Sequence, residues 1–456
     1  MVTIFSLVVI FSVGTLIYKK FNPQTTLLLG GLLMMAAAII SNTGNPLPES
    51  ASSGNAWLDM FTFIKVTTSK TVAGLGLIIM AVGGFAKYMD HIGASRALVN
   101  IALKPLGYFK SPYLVMAMGY IIGQLLNIFI PSASGLGLLL MVTLYPILVR
   151  LGVSKMSAVA VIATTACLDL GPASGNANLA AKTADLSVTD YFLNYQLPVA
   201  IATMITIAVL HFFVQQWFDR RDTDKGPVDI QEEEITVAPP KLYALLPMIP
   251  LALIMAFSPM VLEALNIDIN VNIDVVTAMF ISIAVAMICE GQRHGARNVF
   301  KDIFVYFDSM GKQFARVVTL VIAGQVFAHG MKVTGLLDSV IDFAISANIS
   351  PSLMIIMMVL IITLAAILMG SGNAPFFSFA AMVPDIANKV GINAVAMLMP
   401  MQLASGIARS MSPITGAIVA VAGVADVSPF ELVKRTAIPM IGALIVSTAA
   451  SLIVGL

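Results

Sequence analysis

Ala163-Thr164-Thr165-Ala166-Cys167-Leu168-Asp169-Leu170-Gly171-Pro172-Ala173-Ser174-Gly175-Asn176 is an apolar run that stops at a Gly-Pro pair and restarts among small polar residues. One carboxylate, Asp169, stands just before the stop. About 240 residues later, Ala404-Ser405-Gly406-Ile407-Ala408-Arg409-Ser410-Met411-Ser412-Pro413-Ile414-Thr415-Gly416 has the same form, with a guanidinium near the position of the carboxylate. The surrounding chain decides what such breaks mean. Its 456 residues are 58% hydrophobic and 11% charged with a net charge of +1, and mean hydropathy is +0.93. Soluble domains carry about 25% charged residues. This composition excludes a water-soluble enzyme and a nucleic-acid binder with a basic face, and its solvent is lipid.

A bilayer core about 30 Å thick takes about 20 apolar helical residues to cross. Ten spanning segments follow: 2–18, 25–41, 71–89, a broken one over 156–186 and 195–217, then 242–262, 274–290, 316–334, a broken one over 393–425 and 436–455. Two further apolar stretches, 112–150 and 352–388, are interrupted by turn-forming residues rather than by charge. As re-entrant hairpins or as paired spans they return the chain to the side it entered, and the re-entrant form is the expectation. With the N-terminus outside, 19 Lys and Arg fall in the cytoplasm against five outside and one, Arg409, in the membrane. The positive-inside bias therefore places both termini on the outer, periplasmic face. Positive charges follow the first apolar run instead of preceding it, which argues against a cleaved signal peptide.

Shifting the chain by about 240 residues aligns Phe85-Ala86 with Phe327-Ala328, Ser111-Pro112 with Ser350-Pro351, and Pro146, Gly152, Pro172, Gly175, Asp185, Ser187 and Pro198 with Pro384, Gly391, Pro413, Gly416, Asp426, Ser428 and Pro439. Five crossings per half make the repeat inverted, the architecture of secondary transporters. The expected fold is an all-α polytopic membrane protein. Residues 1–217 form the first repeat, 218–241 a solvated cytoplasmic linker and 242–456 the second repeat. Each repeat also holds a short amphipathic segment, 94–108 or 336–348.

Four small-residue clusters take symmetric positions: Pro131-Ser132-Ala133-Ser134-Gly135, Gly171 to Asn176, Gly370-Ser371-Gly372-Asn373-Ala374-Pro375 and Ser412 to Gly416. Non-helical backbone at membrane depth needs protein or water to satisfy it, so four breaks imply a polar cavity. Ser412 before Pro413, Gly171 before Pro172, and Asn373 read as helix starts. Helix N-termini attract anions, and the helical halves ending at the same breaks offer carbonyls to a cation. The substrate-binding candidates are Ser132, Ser134, Gly135, Ser174, Asn176, Ser371, Gly372, Asn373, Arg409, Ser412 and Thr415. Taken singly, each cluster reads equally as close helix packing.

Each intramembrane charge costs about 2.5–3.5 kcal/mol on insertion scales, so Asp169 and Arg409 are functional candidates. Arg409 can grip a carboxylate bidentately. Asp169, at a helix C-terminal end, calls for H⁺, Na⁺ or Arg409 as its partner, and with Asn176 and Asn373 forms the candidate coupling-ion site. The alternative is a purely structural Asp169–Arg409 pair. No metal or organic cofactor is expected: His91, His211, His294 and His329 have no second ligand at metal spacing. Cys167 and Cys289 lie in apolar runs, and Gly311-Lys312 lacks the glycine of a phosphate loop.

Pro131-Ser-Ala-Ser-Gly-Leu-Gly137 with Met141-Val-Thr-Leu-Tyr-Pro146, then His211-Phe-Phe-Val-Gln215, Met369-Gly-Ser-Gly-Asn-Ala-Pro-Phe376, Ser412-Pro-Ile-Thr415 and Val433-Lys-Arg-Thr-Ala-Ile-Pro-Met440 resemble the DcuC family of anaerobic C4-dicarboxylate carriers, within the ion-transporter superfamily. The resemblance implies a bacterial inner-membrane carrier of succinate, fumarate, malate or aspartate that works by exchange or by cation coupling. It also implies a homodimer with an elevator-like transport unit (112–186 and 352–425) moving against a scaffold. The residues alone reach only a secondary carrier of a small, anionic solute. A carrier of another organic anion or an amino acid stays open beside it, and an ion channel is the weaker alternative. An intramembrane hydrolase lacks H-E-x-x-H and any serine with a histidine base at matching depth.

Overall fold

Side-chain caps and proline set where the helices begin. Asn22 accepts from Thr25 N at 3.0 Å ahead of Pro23, Asn55 from Trp57 N at 2.9 Å, and Asp274 from Thr277 N at 3.0 Å, each satisfying a donor that the first turn leaves open. A computed structural model describes residues 2–19, 21–222, 239–265, 271, 273–336, 338–339, 342, 346 and 349–455. Among these the chain is all-helical, with no strand.

The first half comprises α1 (Val2–Tyr18), α2 (Pro23–Ile40), α3 (Ala56–His91), α4 (Ala94–Ala102), α5 (Pro112–Asn127), α6 (Ala133–Arg150), α7 (Lys155–Thr164), α8 (Gly175–Thr183) and α9 (Val188–Arg221). The second comprises α10 (Lys241–Ala256), α11 (Val275–His294), α12 (Ala296–Val333), α13 (Pro351–Met369), α14 (Asn373–Ala380), α15 (Val383–Val390), α16 (Ala394–Arg409), α17 (Gly416–Val424) and α18 (Pro429–Gly455). Eight of them, α2, α3, α6, α9, α11, α12, α13 and α18, are long and apolar enough to cross a membrane.

Several helices outrun the segments read from hydropathy. Where 71–89 and 316–334 were expected, α3 has 36 residues and α12 has 38, about 54 Å or more at 1.5 Å per residue. Polar and charged residues such as Lys65, Lys70, Lys301 and Lys312 stay helical beyond the apolar stretch, because no breaker separates them from it. Each long helix carries one π-turn, Val72–Gly76 in α3 and Phe314–Val318 in α12. Likewise 195–217 lies within the longer α9, and 436–455 is the C-terminal part of α18.

The segment 242–262 is not one span. It opens as a 3₁₀ stretch, Lys241–Met248, continues as α-helix to Ala256, and resumes at Pro259–Ala264, since Pro247, Pro250 and Pro259 each withdraw a backbone donor. Most of 336–348 and of the linker 218–241 lies outside the described residues. The described start of that linker is not solvated throughout: Asp219 ends α9 buried.

Close helix contacts rest on glycine. A Cβ at Gly31 of α2 would stand 2.6 Å from the Val326 carbonyl of α12, so the two backbones touch as small residues permit. At the centre lies α16, buried at every residue from Val395 to Ala408. Large apolar side chains such as Phe11, Leu29, Leu364 and Ile453 face outward instead, which is the surface a lipid solvent requires.

Candidate functional site

The gap between α7 and α8, residues 165–174, leaves carbonyls with no helical partner, and side chains from two other helices take them up. Arg409 Nη2 donates to Ala166 O at 2.6 Å and to Asp169 Oδ1 at 2.8 Å. Gln402 Nε2 donates to Leu168 O at 3.1 Å. Gln196 Nε2 donates to Asp169 O at 3.3 Å and to Gln402 Oε1 at 2.8 Å, while its Oε1 accepts from Gly171 N at 3.0 Å. Buried backbone groups must be paired, so this break is held in one shape from α9 and α16. Asp169 adopts φ +48°, the left-handed region that aspartate enters more readily than most residues and that concentrates at functional sites.

Asp169 and Arg409 are joined, with side chains 10% and 13% exposed. Asn176 Nδ2 donates to the other carboxylate oxygen of Asp169 at 3.0 Å. The approach of α16 to the break depends on Gly406, where a Cβ would stand 2.3 Å from Cys167 O and 3.1 Å from Asp169 Oδ2. Beside the pair opens a cavity of about 300 Å³, lined among others by Ser132, Asp169, Ser174, Asn176, Asn373 and Arg409. Three helix starts border it. Ser132 Oγ accepts from Gly135 N at 3.1 Å at the start of α6, Ser174 Oγ accepts from Ala177 N at 3.3 Å at the start of α8, and α14 begins at Asn373.

The remaining candidates stand back from the cavity wall. Ser371 Oγ accepts from Ala374 N at 3.4 Å, and Gly372 packs so tightly that a Cβ would meet Ser405 O at 2.5 Å. Ser134 Oγ lies 3.8 Å from a Cβ placed on Gly416. The expected helix starts also shift. Ser412 is not a cap: it is buried with Oγ unpartnered, and α17 begins after Thr415, whose Oγ1 turns back to Arg409 O at 2.7 Å. Gly171 gives way to Ser174, and Asn373 is the first residue of α14 rather than its cap. At Pro172 and Pro413 a turn fills the residues after the proline and moves the helix start toward the C-terminus, whereas α14 starts one residue before the place a cap at Asn373 would set.

The family profile described as "DcuC: C4-dicarboxylate anaerobic carrier" matches residues 1–455. The chain is 37% identical over 450 residues to the anaerobic C4-dicarboxylate transporter DcuC of Escherichia coli K12, covering 98% of this chain and 95% of that one. The chain belongs to the DcuC family. A probable DcuC of Vibrio cholerae is 36% identical over 437 residues, 95% of this chain and 94% of its own. As a DcuC-family member the chain is a membrane transporter and not an enzyme. Its fold is that of two solved transporters. The YdaH transporter of Alcanivorax borkumensis has a TM-score of 0.64 at 16% identity, covering 95% of this chain and 98% of that one. MtrF of Neisseria gonorrhoeae has a TM-score of 0.63 at 13% identity, covering 95% of each.

In this DcuC-family chain the cavity also receives Lys87 and Asp90 from α3, and Ser309 and Gln313 from α12. By sequence those four belong in or near cytoplasmic segments, because nothing local brings the end of α3 and the middle of α12 to the breaks. Gln196 and Gln402 did carry a signal, each an amide inside an apolar run.

A second buried ionic knot lies away from the cavity. Arg435 of α18 donates through Nη1 to Asp219 Oδ1 at 2.8 Å and to Ser157 Oγ at 2.7 Å, and through Nη2 to Asp222. Asp219 also accepts from Ser154 N at 3.1 Å and Ser154 Oγ at 2.6 Å, at the start of α7. His211, read as a packing residue toward a span end, is fully buried and bonded to Thr164 Oγ1 at 2.9 Å.

Proposed function

We propose that this chain is a secondary carrier of C4-dicarboxylates such as succinate, fumarate, malate and aspartate, in the inner membrane, working by exchange or cation coupling. The carrying observation is the meeting of Arg409 with three helix starts at one cavity. Each helix end acts as about +0.5 charge, and the guanidinium fork matches a carboxylate. Asp169 holds that fork in the structure described, so an incoming carboxylate competes with Asp169 for Arg409. Asp169, Asn176 and Asn373 are the candidate site for H⁺ or Na⁺. Asn176 Oδ1 supports this, being shielded and unpartnered.

Inversion of the two halves is supported by the aligned residues, by paired breaks after α7 and α16, and by π-turns that begin at Val72 and Phe314, close to the same shift. Residues 112–186 and 352–425, re-entrant hairpins and broken helices, form the moving unit. The other helices form a scaffold, dimeric through its outer face, with both termini periplasmic by the distribution of Lys and Arg. A carrier of an amino acid outside the C4-dicarboxylates is the second reading, favoured by Asp169 beside Arg409, which offers an ammonium group a partner.

Counterflow in proteoliposomes is the test. Unlabelled succinate inside must accelerate uptake of labelled succinate, and a panel of carboxylates ranks the substrates. A channel gives no acceleration, and indifference to every dicarboxylate overturns the reading.

A further inference from the structure

A second acid shares the cavity with Asp169. Asp90, in the last turn of α3, lines it together with Lys87, Ser132 and Arg409. Its Oδ1 is shielded from solvent and has no hydrogen-bond partner. Its Oδ2 lies 3.5 Å from where a Cβ on Gly135 would stand, so the carboxylate is seated against the first turn of α6. Ser95 of α4 supplies it with a hydroxyl. That turn of α6 is one of the helix starts to which the dicarboxylate reading assigns substrate charge. An ionised Asp90 would put a negative charge in the place a substrate carboxylate needs.

We propose that Asp90 takes up a proton from water when a dicarboxylate enters, and so couples one proton to each substrate anion. The inference rests on the dicarboxylate reading above. Two carboxylates a few ångströms apart in a protein interior repel strongly, and a proton on one removes the repulsion. It also removes the charge from an oxygen that nothing bonds. Asp169 answers differently, since Arg409 and Asn176 already hold both of its oxygens.

Few other charged groups face Asp90. Lys87 stands on its own helix, and Asp169 and Arg409, bonded to each other, line the same cavity. α12 turns Ser309 and Gln313 to the cavity, α6 Ser132, α8 Asn176 and α14 Asn373, none of which titrates near neutrality. Behind it His91 is paired with Asp302 of α12 at 3.7 Å. Tyr88 faces Asp302 and Glu290 of α11, and Glu290 with Arg293 surrounds Tyr243 of α10.

The experiment uses the full chain in proteoliposomes. Counterflow of labelled succinate at one pH comes first; its absence overturns the dicarboxylate reading, and this inference with it, before any pH profile is taken. The half-saturating succinate concentration is then measured as external pH is raised. The wild type is expected to weaken by up to about tenfold per pH unit on the alkaline limb, as linkage to one proton requires. D90N is expected to show no such slope, and D90E to restore it. A D90N profile with the wild-type slope overturns the proposal, as does a slope lost in D169N and kept in D90N. Should D90N fail to insert, the wild type decides alone in weakly buffered detergent with a pH dye. Close to one proton taken up per succinate bound supports the proposal, and none overturns it.

Discussion

Arg409 carries two tasks through one guanidinium, pairing Asp169 and holding the Ala166 carbonyl. Arg409→Lys keeps the charge and loses the planar fork, so succinate affinity should fall at least about tenfold, the size of one lost charge-assisted bond. Arg409→Ala should abolish transport while the protein still inserts. Asp169→Asn frees the guanidinium from a competitor of the substrate and removes the carboxylate from the candidate cation site. Its pH or Na⁺ dependence of net flux should therefore change, read as labelled succinate flux against imposed gradients. If Arg409→Ala and Asp169→Asn both leave affinity and coupling intact and lower only expression, the pair is structural. Binding must then rest on the helix starts and on Ser132, Ser174, Asn176 and Asn373.

At the scale of elements, the knot at Arg435 ties α18, the end of α9 and the start of α7 together. Asp219 accepts from the first turn of α7 and so serves it as a cap supplied by another helix. Removing one partner from a buried pair leaves the other uncompensated, at a cost of roughly 3–5 kcal/mol. Arg435→Ala should lower the melting temperature of the detergent-solubilised protein by several degrees, and more than Lys434→Ala, whose partner Glu431 is exposed. Equal losses for the two would show that the knot adds no stability. Gly406 marks another element contact, between α16 and the break after α7. Gly406→Ala places a methyl against Cys167 O and is expected to separate Arg409 from Asp169, with loss of transport.

Across the whole molecule, the re-entrant reading makes an accessibility prediction. A cysteine at Ser134 should react with impermeant reagent from the cytoplasm, and one at Ser371 from outside; full spans would reverse both. Ser371 is the better probe of its turn because Gly372 has no room for a side chain. Movement of the unit 112–186 and 352–425 against the remaining helices predicts that crosslinks between the two stop exchange. Crosslinks that form fully and leave exchange at the uncrosslinked rate would remove the moving unit from the mechanism.

The chain's membrane class, its all-helical character, the breaks near Pro172 and Pro413 and its family were legible in the residues, while the breaks within 242–262 were not. Apolar length, proline and small-residue clusters are local properties that lipid enforces wherever they occur. Asp169 and Arg409 stood out for the same reason, as charges inside apolar runs. Helix lengths were less legible: α3 and α12 run on past the bilayer-length segment because only a breaker, not a drop in hydropathy, ends a helix. Which breaks share a cavity was decided by tertiary packing alone. Gly406 and Gly372 let α16 reach its neighbours, Gln196 and Gln402 close the open carbonyls, and the end of α3 delivers Asp90 to the start of α6. Those partners are far apart along the chain, and no local pattern encodes a hydrogen bond that exists only once the helices are packed.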